Sequence, residues 1–288
     1  MIFLKLIRAH QYTKNLFVFA ALFFSGKFFE IQKVIECGIA FLAFCLAASS
    51  IYIINDLKDL DKDKQHPAKK NRPIAAGLVS VKLAIFICVI LFLLSFFISA
   101  LASFNLLAVI LIYFVLNLFY CFGGKNISII DVFIISTGFV LRVVAGGVIN
   151  RIELSHWLII MTFLLALFIA FAKRRDDVLI ENESGLKIRN SIAGYSLEFI
   201  NAISSILIAV LIVCYIMYVT STEVTIRFNN KPIYISVLFV LLGLIRYLQI
   251  SIVEKNSGSP SKLILKDRFL QCCVIAWVLF FITIIYFK

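Results

Sequence analysis

The stretch Ile54–Ile74, INDLKDLDKDKQHPAKKNRPI, places four aspartates and six lysines or arginines between two long apolar runs. Hydrophobic residues make up 62% of the 288 residues, whereas soluble domains are nearer half apolar. Several apolar runs reach the roughly 20 residues that an α-helix needs to cross a bilayer. The sequence therefore predicts an integral membrane protein, with this charged stretch at the membrane surface.

The apolar runs predict an all-α membrane protein with about nine transmembrane helices. They are too long and too evenly apolar for the strands of a barrel. The polar gaps between them are short, so we expect a single transmembrane domain over residues 1–288. The approximate spans are 15–30, 34–54, 83–102, 104–120, 129–149, 156–172, 199–220, 233–250 and 269–287.

The basic residues predict the orientation of the chain. With a cytoplasmic N-terminus, 21 of the 28 lysines and arginines fall on the cytoplasmic side, six fall on the other side, and Arg142 lies within a span. This bias is typical of a multi-pass protein of the cytoplasmic (inner) membrane. It explains the net charge of +12 without a nucleic-acid partner.

Two further features exclude common alternatives. The N-terminal segment 1–15 lacks the apolar core and cleavage site of a signal peptide and favours a short interfacial helix. The seven cysteines are scattered without a CxxC pair, so neither a disulfide framework nor a zinc site is indicated.

The aspartates of the opening stretch form a pattern. If the second span continues as a helix past Asn55, then Asp56, Asp59 and Asp63 share one face, whereas Asp61 points about 140° away. Carboxylates packed together favour a cation between them, and oxygen ligands of this kind suit Mg²⁺. The alternative is a solvated loop of mixed charge.

A cluster of basic residues follows the acidic face and is suited to binding phosphate oxygens. Each of its members is also an ordinary marker of the cytoplasmic side, but together they favour a phosphorylated substrate. The cluster consists of Lys64, His66, Lys69, Lys70 and Arg72.

The pattern Asn55-Asp56-x-x-Asp59-x-x-x-Asp63 resembles the first aspartate-rich motif of the UbiA-type prenyltransferase superfamily. This resemblance implies nine helices around a central cavity open to the cytoplasm, and Mg²⁺ that binds a diphosphate. The longer run NDLKDLDKDKQHPAKKNRPIAAG is similar to the decaprenyl-phosphate phosphoribosyltransferase branch. That branch transfers 5-phosphoribose from phosphoribosyl diphosphate (PRPP) to a polyprenyl phosphate.

A second motif, Tyr120-Cys-Phe-Gly-Gly-Lys125, follows the fourth span. Tyr120 and Lys125 match residues of the same branch, which implies substrate binding. An interfacial aromatic and an ordinary cytoplasmic lysine are the alternatives. Asp131 opens the next span, and Arg142 lies 11 positions later on nearly the same helical face, about 16 Å deeper. Such a deep charge should face a polar cavity, either to bind substrate or to pair with Asp131 or another buried acid.

The loop predicted after the sixth span begins Lys173-Arg174-Arg175. Aromatic prenyltransferases of the superfamily carry a second aspartate-rich motif here, where this chain has only Asp177 and Glu181 at i, i+4. The resemblance to the phosphoribosyl branch implies that the three basic residues bind substrate phosphates. PRPP also carries more phosphate groups than a prenyl diphosphate, which calls for more fixed cations.

Gln11-Tyr-Thr-Lys14-Asn15, before the first span, resembles the family's Gln-x-x-Lys-Asn entry motif. Lys14 is therefore a candidate ligand of the lipid phosphate, although it would also fit as a lysine that extends to the interface.

These observations predict an Mg²⁺-dependent phosphoribosyltransferase acting on PRPP and a polyprenyl phosphate for cell-envelope glycan synthesis. Its catalytic residues would be Asp56, Asp59 and Lys125, and its metal ligands Asp56, Asp59 and Asp63. The first alternative is transfer of a prenyl group from its diphosphate to 4-hydroxybenzoate or a related arene. The second is a transporter for an anionic solute. Transporters often contain inverted repeats, and the sequence shows no clear repeat, which counts against this alternative.

Overall fold

The structure is a computed structural model that describes residues 2–65, 69–184, 190–228, 231–254, 263 and 266–286. Every regular element in these ranges is helical. The α-helices are α1 Ile2–Leu6, α2 Ala20–Phe24, α3 Ile31–Lys58, α4 Leu60–Gln65, α5 Val81–Ala102, α6 Phe104–Phe122, α7 Ile130–Ile149, α8 His156–Ser184, α9 Leu197–Thr220, α10 Thr222–Arg227, α11 Ser236–Ile252 and α12 Arg268–Tyr286. The 3₁₀ helices are Ala9–Phe19, Lys69–Asn71, Gly124–Asn126, Asn190–Gly194 and Ile233–Ile235.

Eight helices within the described ranges are long and apolar enough to cross a membrane. Seven of them match a predicted span to within a few residues at both ends, and α8 matches one at its start. Large apolar side chains on α5 and α6, such as Phe86, Leu93 and Phe104, are exposed, as expected for surfaces that contact lipid rather than water. The chain is an all-α, multi-pass membrane protein, as the sequence predicted.

The predicted first span, 15–30, has a different geometry. The chain here forms the 11-residue 3₁₀ helix Ala9–Phe19 followed by the five-residue α2. Because a 3₁₀ helix rises about 2.0 Å per residue and an α-helix 1.5 Å, these two elements extend about 30 Å, close to the thickness of the bilayer core. A ninth crossing stays a prediction. Its helix would be mainly of the 3₁₀ type, which hydropathy does not indicate.

The sixth predicted span also differs, because α8 does not end at residue 172. It continues to Ser184, so Lys173-Arg174-Arg175 lies within a helix and the prediction of a loop was wrong. Hydropathy reports only the apolar part of a helix, whereas lysine, arginine and glutamate are themselves good helix formers. An i, i+3 ion pair between Arg174 and Asp177 further stabilises this extension.

The chain divides into two compact units. The first comprises residues 1–125 and 137–154, and the second comprises residues 126–136 and 155–288. Helix α7 contributes its first turns to the second unit and the remainder to the first. The prediction of a single domain stays a prediction.

In the first unit, α3 is the central helix and packs against α5, α6 and the 3₁₀ helix Ala9–Phe19. Its buried face is rich in small residues, including Ala43, Ala47 and Ser50, which allow neighbouring backbones to approach closely. The hydroxyl of Ser95 on α5 donates to the carbonyl of Ala43 over 2.8 Å. This close packing fixes the helix whose end carries the aspartate motif.

In the second unit, α9 packs against α8 and α11, and α11 packs against α12. The Phe168 ring packs edge-on against Tyr247 with 5.1 Å between centroids. Tyr215 shares a 2.7 Å hydrogen bond with Ser236 and accepts one of 2.8 Å from the Trp277 indole. These contacts join α8 to α11, and α9 to both α11 and α12.

Replacing Gly146 by alanine is expected to destabilise the first unit. A Cβ at Gly146 would lie 1.8 Å from the carbonyl oxygen of Val18, a backbone atom that cannot rotate away. The strain should cost about 1–3 kcal/mol and lower the thermal midpoint of the protein in detergent. Gly38→Ala is the matched control, because that helical position has no atom within 4 Å and alanine favours the helix. Equal midpoints for the two variants would contradict the close approach.

Candidate active site

The acidic motif lies where α3 ends and α4 begins, in the first unit. Asp59 is the C-cap residue that follows α3 and precedes α4, with φ −96° and ψ 9°. The helical bonding pattern nevertheless continues, because the amide of Asp63 donates to the carbonyl of Asp59 over 2.8 Å. Asp61 is 95% exposed on its side chain, whereas Asp56 and Asp63 are buried. Asp61 therefore points away from the buried acids, as predicted, whereas the convergence of Asp56, Asp59 and Asp63 on one metal site stays a prediction.

Two arginines neutralise the buried acids of this face. The Arg72 guanidinium donates to Asp56 over 3.0 Å and to Asp63 over 2.5 Å. Arg8 donates to the same Asp56 oxygen that Arg72 contacts. Arg72 was predicted from the basic cluster, and the structure places it directly on the acidic pair. Arg8 was not predicted, because nothing in the N-terminal segment marks it out from its basic neighbours.

Asp59 has a separate partner. The ammonium group of Lys125, in the 3₁₀ helix Gly124–Asn126, donates to both Asp59 oxygens over 2.7 and 2.6 Å. It also donates to the Asn55 side-chain oxygen over 3.1 Å. The structure thus brings together Lys125 and the first half of the motif, which were predicted from separate segments. Asp59 remains 22% exposed and Lys125 17% exposed, so this group stays open to a ligand.

The other predicted residues of this unit are more dispersed. Lys64 is exposed and pairs with Asp61 over 4.0 Å, away from the buried acids. Lys14, Lys69 and Tyr120 are partly buried. His66 lies outside the described residues.

Arg142 is buried, as predicted for a charge so deep in a span, but it does not pair with Asp131. Its three nitrogen atoms donate to the Asn15 side chain over 2.7 Å, the Gly138 carbonyl over 2.6 Å and the Tyr113 hydroxyl over 3.2 Å. The guanidinium also lies over three aromatic rings, at 5.0–5.6 Å from their centroids. Within the described residues it forms no ion pair, so neutral acceptors and ring faces stabilise this charge. Of the two alternatives for Arg142, pairing with a buried acid is not observed among these residues, and a role in substrate binding stays a prediction.

Asp131 belongs instead to a buried network of the second unit. One of its oxygens accepts from Arg174 over 2.7 Å and from Ser191 over 3.1 Å, and the other accepts from Tyr195 over 2.8 Å. Asp131 and Arg174 are 0% and 1% exposed. Both were predicted to bind substrate, but their position is that of a closed structural ion pair, because no face of either group is open to a ligand.

Tyr195, which the sequence did not single out, completes this network. Its hydroxyl accepts from the amide of Ile129 over 2.5 Å while it donates to Asp131. Ile129 has φ 72°, a left-handed conformation that is strained for a β-branched residue. Burial raises the pKa of Tyr195, and the nearby Asp131 charge raises it further. The phenol therefore stays protonated and holds the strained turn before α7.

The remaining predicted residues of α8 differ in exposure. Lys173 is exposed, whereas Arg175 is 4% exposed and donates from Nε to the Asn201 side chain over 2.9 Å. Buried side-chain atoms of Arg175 and Glu181 have no hydrogen-bond partner within the described part of the chain. Asp177 pairs with Arg174. Arg175 thus retains a buried donor without a partner among the described residues.

The family model described as the UbiA prenyltransferase family matches residues 16–272. The chain belongs to this family, as the motif predicted, and is therefore an enzyme of the transferase class. It is 33% identical to the decaprenyl-phosphate phosphoribosyltransferase of Corynebacterium glutamicum, over 98% of this chain and 86% of that protein. It is 34% identical to the protein of the same name from Mycolicibacterium smegmatis, over 96% of this chain and 89% of that protein. The predicted resemblance to this branch is confirmed.

Solved structures support the fold. A UbiA homolog from Archaeoglobus fulgidus bound to GPP and Mg²⁺ matches with a TM-score of 0.72, covering 99% of both chains at 18% identity. A structure of digeranylgeranylglyceryl phosphate synthase matches with a TM-score of 0.68, covering 99% of this chain and 97% of that chain at 18% identity. The chain therefore has the fold of UbiA membrane proteins.

The carboxylates of the acidic motif fit Mg²⁺ only if the substrate supplies part of its coordination shell. The part of the chain that the structure describes contains no group of three or more His, Cys, Asp or Glu residues able to hold a metal. The predicted three-carboxylate set is instead divided into the pair Asp56 and Asp63 and the single Asp59. Mg²⁺ usually takes one or two carboxylates and completes its shell with substrate phosphates and water. These residues therefore fit a cation that binds together with a phosphorylated substrate.

We expect Asp131→Asn to destabilise the protein strongly. The substitution keeps the shape of the side chain but leaves Arg174 with one charged partner fewer in a fully buried position, which typically costs about 3–5 kcal/mol. Thermal unfolding in detergent measures the effect. Asp61→Asn is the control, because its ion pair is exposed and long and such pairs contribute little. A midpoint for Asp131→Asn within error of that control would show that the buried pair is not structural.

Proposed function

We propose that the chain transfers 5-phosphoribose from PRPP to a polyprenyl phosphate, giving polyprenyl-phosphoryl 5-phosphoribose and diphosphate. The observation that carries this proposal is the near-full-length similarity to two curated decaprenyl-phosphate phosphoribosyltransferases. The product would serve cell-envelope glycan synthesis, with the reaction at the cytoplasmic face of the cytoplasmic membrane.

The reaction requires little acid–base chemistry from the protein. A phosphate oxygen of the lipid forms a bond to C1 of the ribose while the bond from C1 to the diphosphate breaks, through an oxocarbenium-like state that inverts C1. The acceptor is already an anion at neutral pH, so no strong general base is needed. Positioning and electrostatic stabilisation should therefore carry the catalysis. The aspartates of the acidic motif and their arginine and lysine partners are suited to this task.

Asp56, Asp59 and Asp63 are the proposed Mg²⁺ ligands, and Asn55 is an additional oxygen donor. Bound there, Mg²⁺ would take up negative charge on the departing diphosphate. Lys125 is proposed to hold Asp59 in place before substrate binds and to donate to a phosphate oxygen afterwards. Its partial exposure beside Asp59 supports both roles.

Several basic residues are proposed as phosphate ligands. In the first unit these are Arg72, Lys69 and Lys14, the last toward the lipid phosphate. In the second unit they are Lys173, which is exposed, and Arg175, which retains a buried donor without a partner among the described residues. Arg174 is proposed to act structurally, through Asp131.

The test is an assay on purified protein with Mg²⁺. PRPP and a polyprenyl phosphate are supplied in one reaction, a polyprenyl diphosphate and 4-hydroxybenzoate in another, and the products are identified by mass spectrometry. We expect polyprenyl-phosphoryl 5-phosphoribose from the first reaction alone. A prenylated arene would instead assign the chain to aromatic prenyl transfer.

Asp59→Asn is expected to lower kcat/KM for PRPP by about 10²-fold or more, since it removes a charge used in the transition state. Asp61→Asn makes the same substitution two residues away on the exposed face and should leave kcat/KM unchanged. The thermal midpoints of both variants show whether they are folded. Equal kcat/KM values for the two variants would remove Asp59 from the proposed site.

A further inference from the structure

Arg8 and Arg72 lie on the outer side of the acids that they neutralise. The side chains of Asp56 and Asp63 are each 3% exposed, whereas those of Arg8 and Arg72 are 20% and 24% exposed. A group that approaches these carboxylates from solvent therefore meets the arginine side chains first. The arginines occupy the side from which a metal ion would arrive.

The backbone of Arg8 is strained. Arg8 has φ 52° and ψ 49°, the left-handed conformation, which is unfavourable for a residue other than glycine. Its guanidinium contacts Asp56 and lies 5.0 Å from the centroid of the Tyr52 ring. Both contacts place the charge at the acidic pair, and strain of this kind clusters at functional sites.

The four groups are balanced in charge, with two carboxylates and two guanidinium groups. Arginine cannot lose its proton in a protein, so the positive charge here can be removed only by moving the side chain. A divalent cation added without such movement would face two fixed positive charges a few ångströms away. Its binding at Asp56 and Asp63 therefore requires at least one arginine to leave.

We propose that Arg8 and Arg72 are exchangeable counter-ions of the Asp56–Asp63 pair, which a divalent cation displaces and which then bind the phosphate groups of the incoming substrate. Planar guanidinium groups suit bidentate contacts with phosphate. Arg8 becomes a further substrate-positioning residue in this scheme. The identity of the anion as PRPP rests on the proposed function, but the exchange at the carboxylates does not.

This exchange couples the two ligands. The cation binds weakly alone, because it competes with the arginines, and the anionic substrate stabilises the displaced guanidinium groups. Each ligand must then tighten the binding of the other by the same factor. The acidic pair would thus remain neutral in the absence of substrate and take up its metal ion together with it.

The first experiment measures Mn²⁺ binding to the purified full-length protein by electron paramagnetic resonance, without PRPP or lipid. Arg72→Gln should bind Mn²⁺ about tenfold tighter or more than the unmodified chain, because one competing charge is removed close to the ligands. Lys62→Gln is the matched control. It removes one positive charge from the same helix α4 at an exposed position and should leave Mn²⁺ affinity unchanged.

Two further results complete the test. Arg8→Gln should also tighten Mn²⁺ binding, which provides a second variant if Arg72→Gln does not fold. Both variants should raise the KM for PRPP while Lys62→Gln does not. Unchanged or weaker Mn²⁺ binding in a folded arginine variant would overturn the exchange, as would an equal gain in Lys62→Gln. Because Mn²⁺ binding is measured without substrate, this outcome is independent of whether the chain transfers phosphoribose.

Discussion

The need to stabilise the charge of arginine residues inside the protein is the constraint on which the rest of the structure depends. A guanidinium inside an apolar helical protein keeps its proton, so it needs acceptors close by. The charge of Arg174 is balanced by carboxylates in a closed network. The charge of Arg142 is stabilised by hydrogen bonds to neutral acceptors and by aromatic rings. Arg8 and Arg72 share an acidic pair near the end of α3. Each of these sets of contacts fixes the end or one face of a helix. It thereby determines where the candidate site residues lie.

Most of these groups are carried by helices or by short 3₁₀ turns attached to them. The aspartate motif continues α3 into α4, and the basic triad extends α8. The strained turn at Ile129 is held by Tyr195, which fixes the first turn of α7. Groups on such elements keep their geometry better than groups on long loops. This suits a reaction in which positioning and electrostatics supply most of the catalysis.

The sequence predicted the long helices well, because membrane spans are set by hydropathy and length. It also predicted the acidic face, because the spacing of Asp56, Asp59 and Asp63 follows helical geometry. It did not predict the partners of the charged residues, since Arg174 meets Asp131 across 43 positions and Arg8 meets Asp56 across 48. Such pairings depend on tertiary packing, which leaves no local pattern. The 3₁₀ geometry of the first predicted span was also missed, because hydropathy does not distinguish a 3₁₀ helix from an α-helix.

The exposure of the charged pairs separates two roles that look alike in sequence. Asp131 and Arg174 are both fully buried, and their carboxylate is saturated with hydrogen bonds from side chains, so this pair has no route for exchange. Arg8 and Arg72 instead pair with buried acids while their own side chains remain partly accessible. Removing the cation from a buried carboxylate is strongly destabilising, because the carboxylate is left without a counter-ion. Replacing that cation by another avoids this cost, because the charge stays balanced. The same residue types therefore act as a structural connection in one unit and as a replaceable counter-ion in the other.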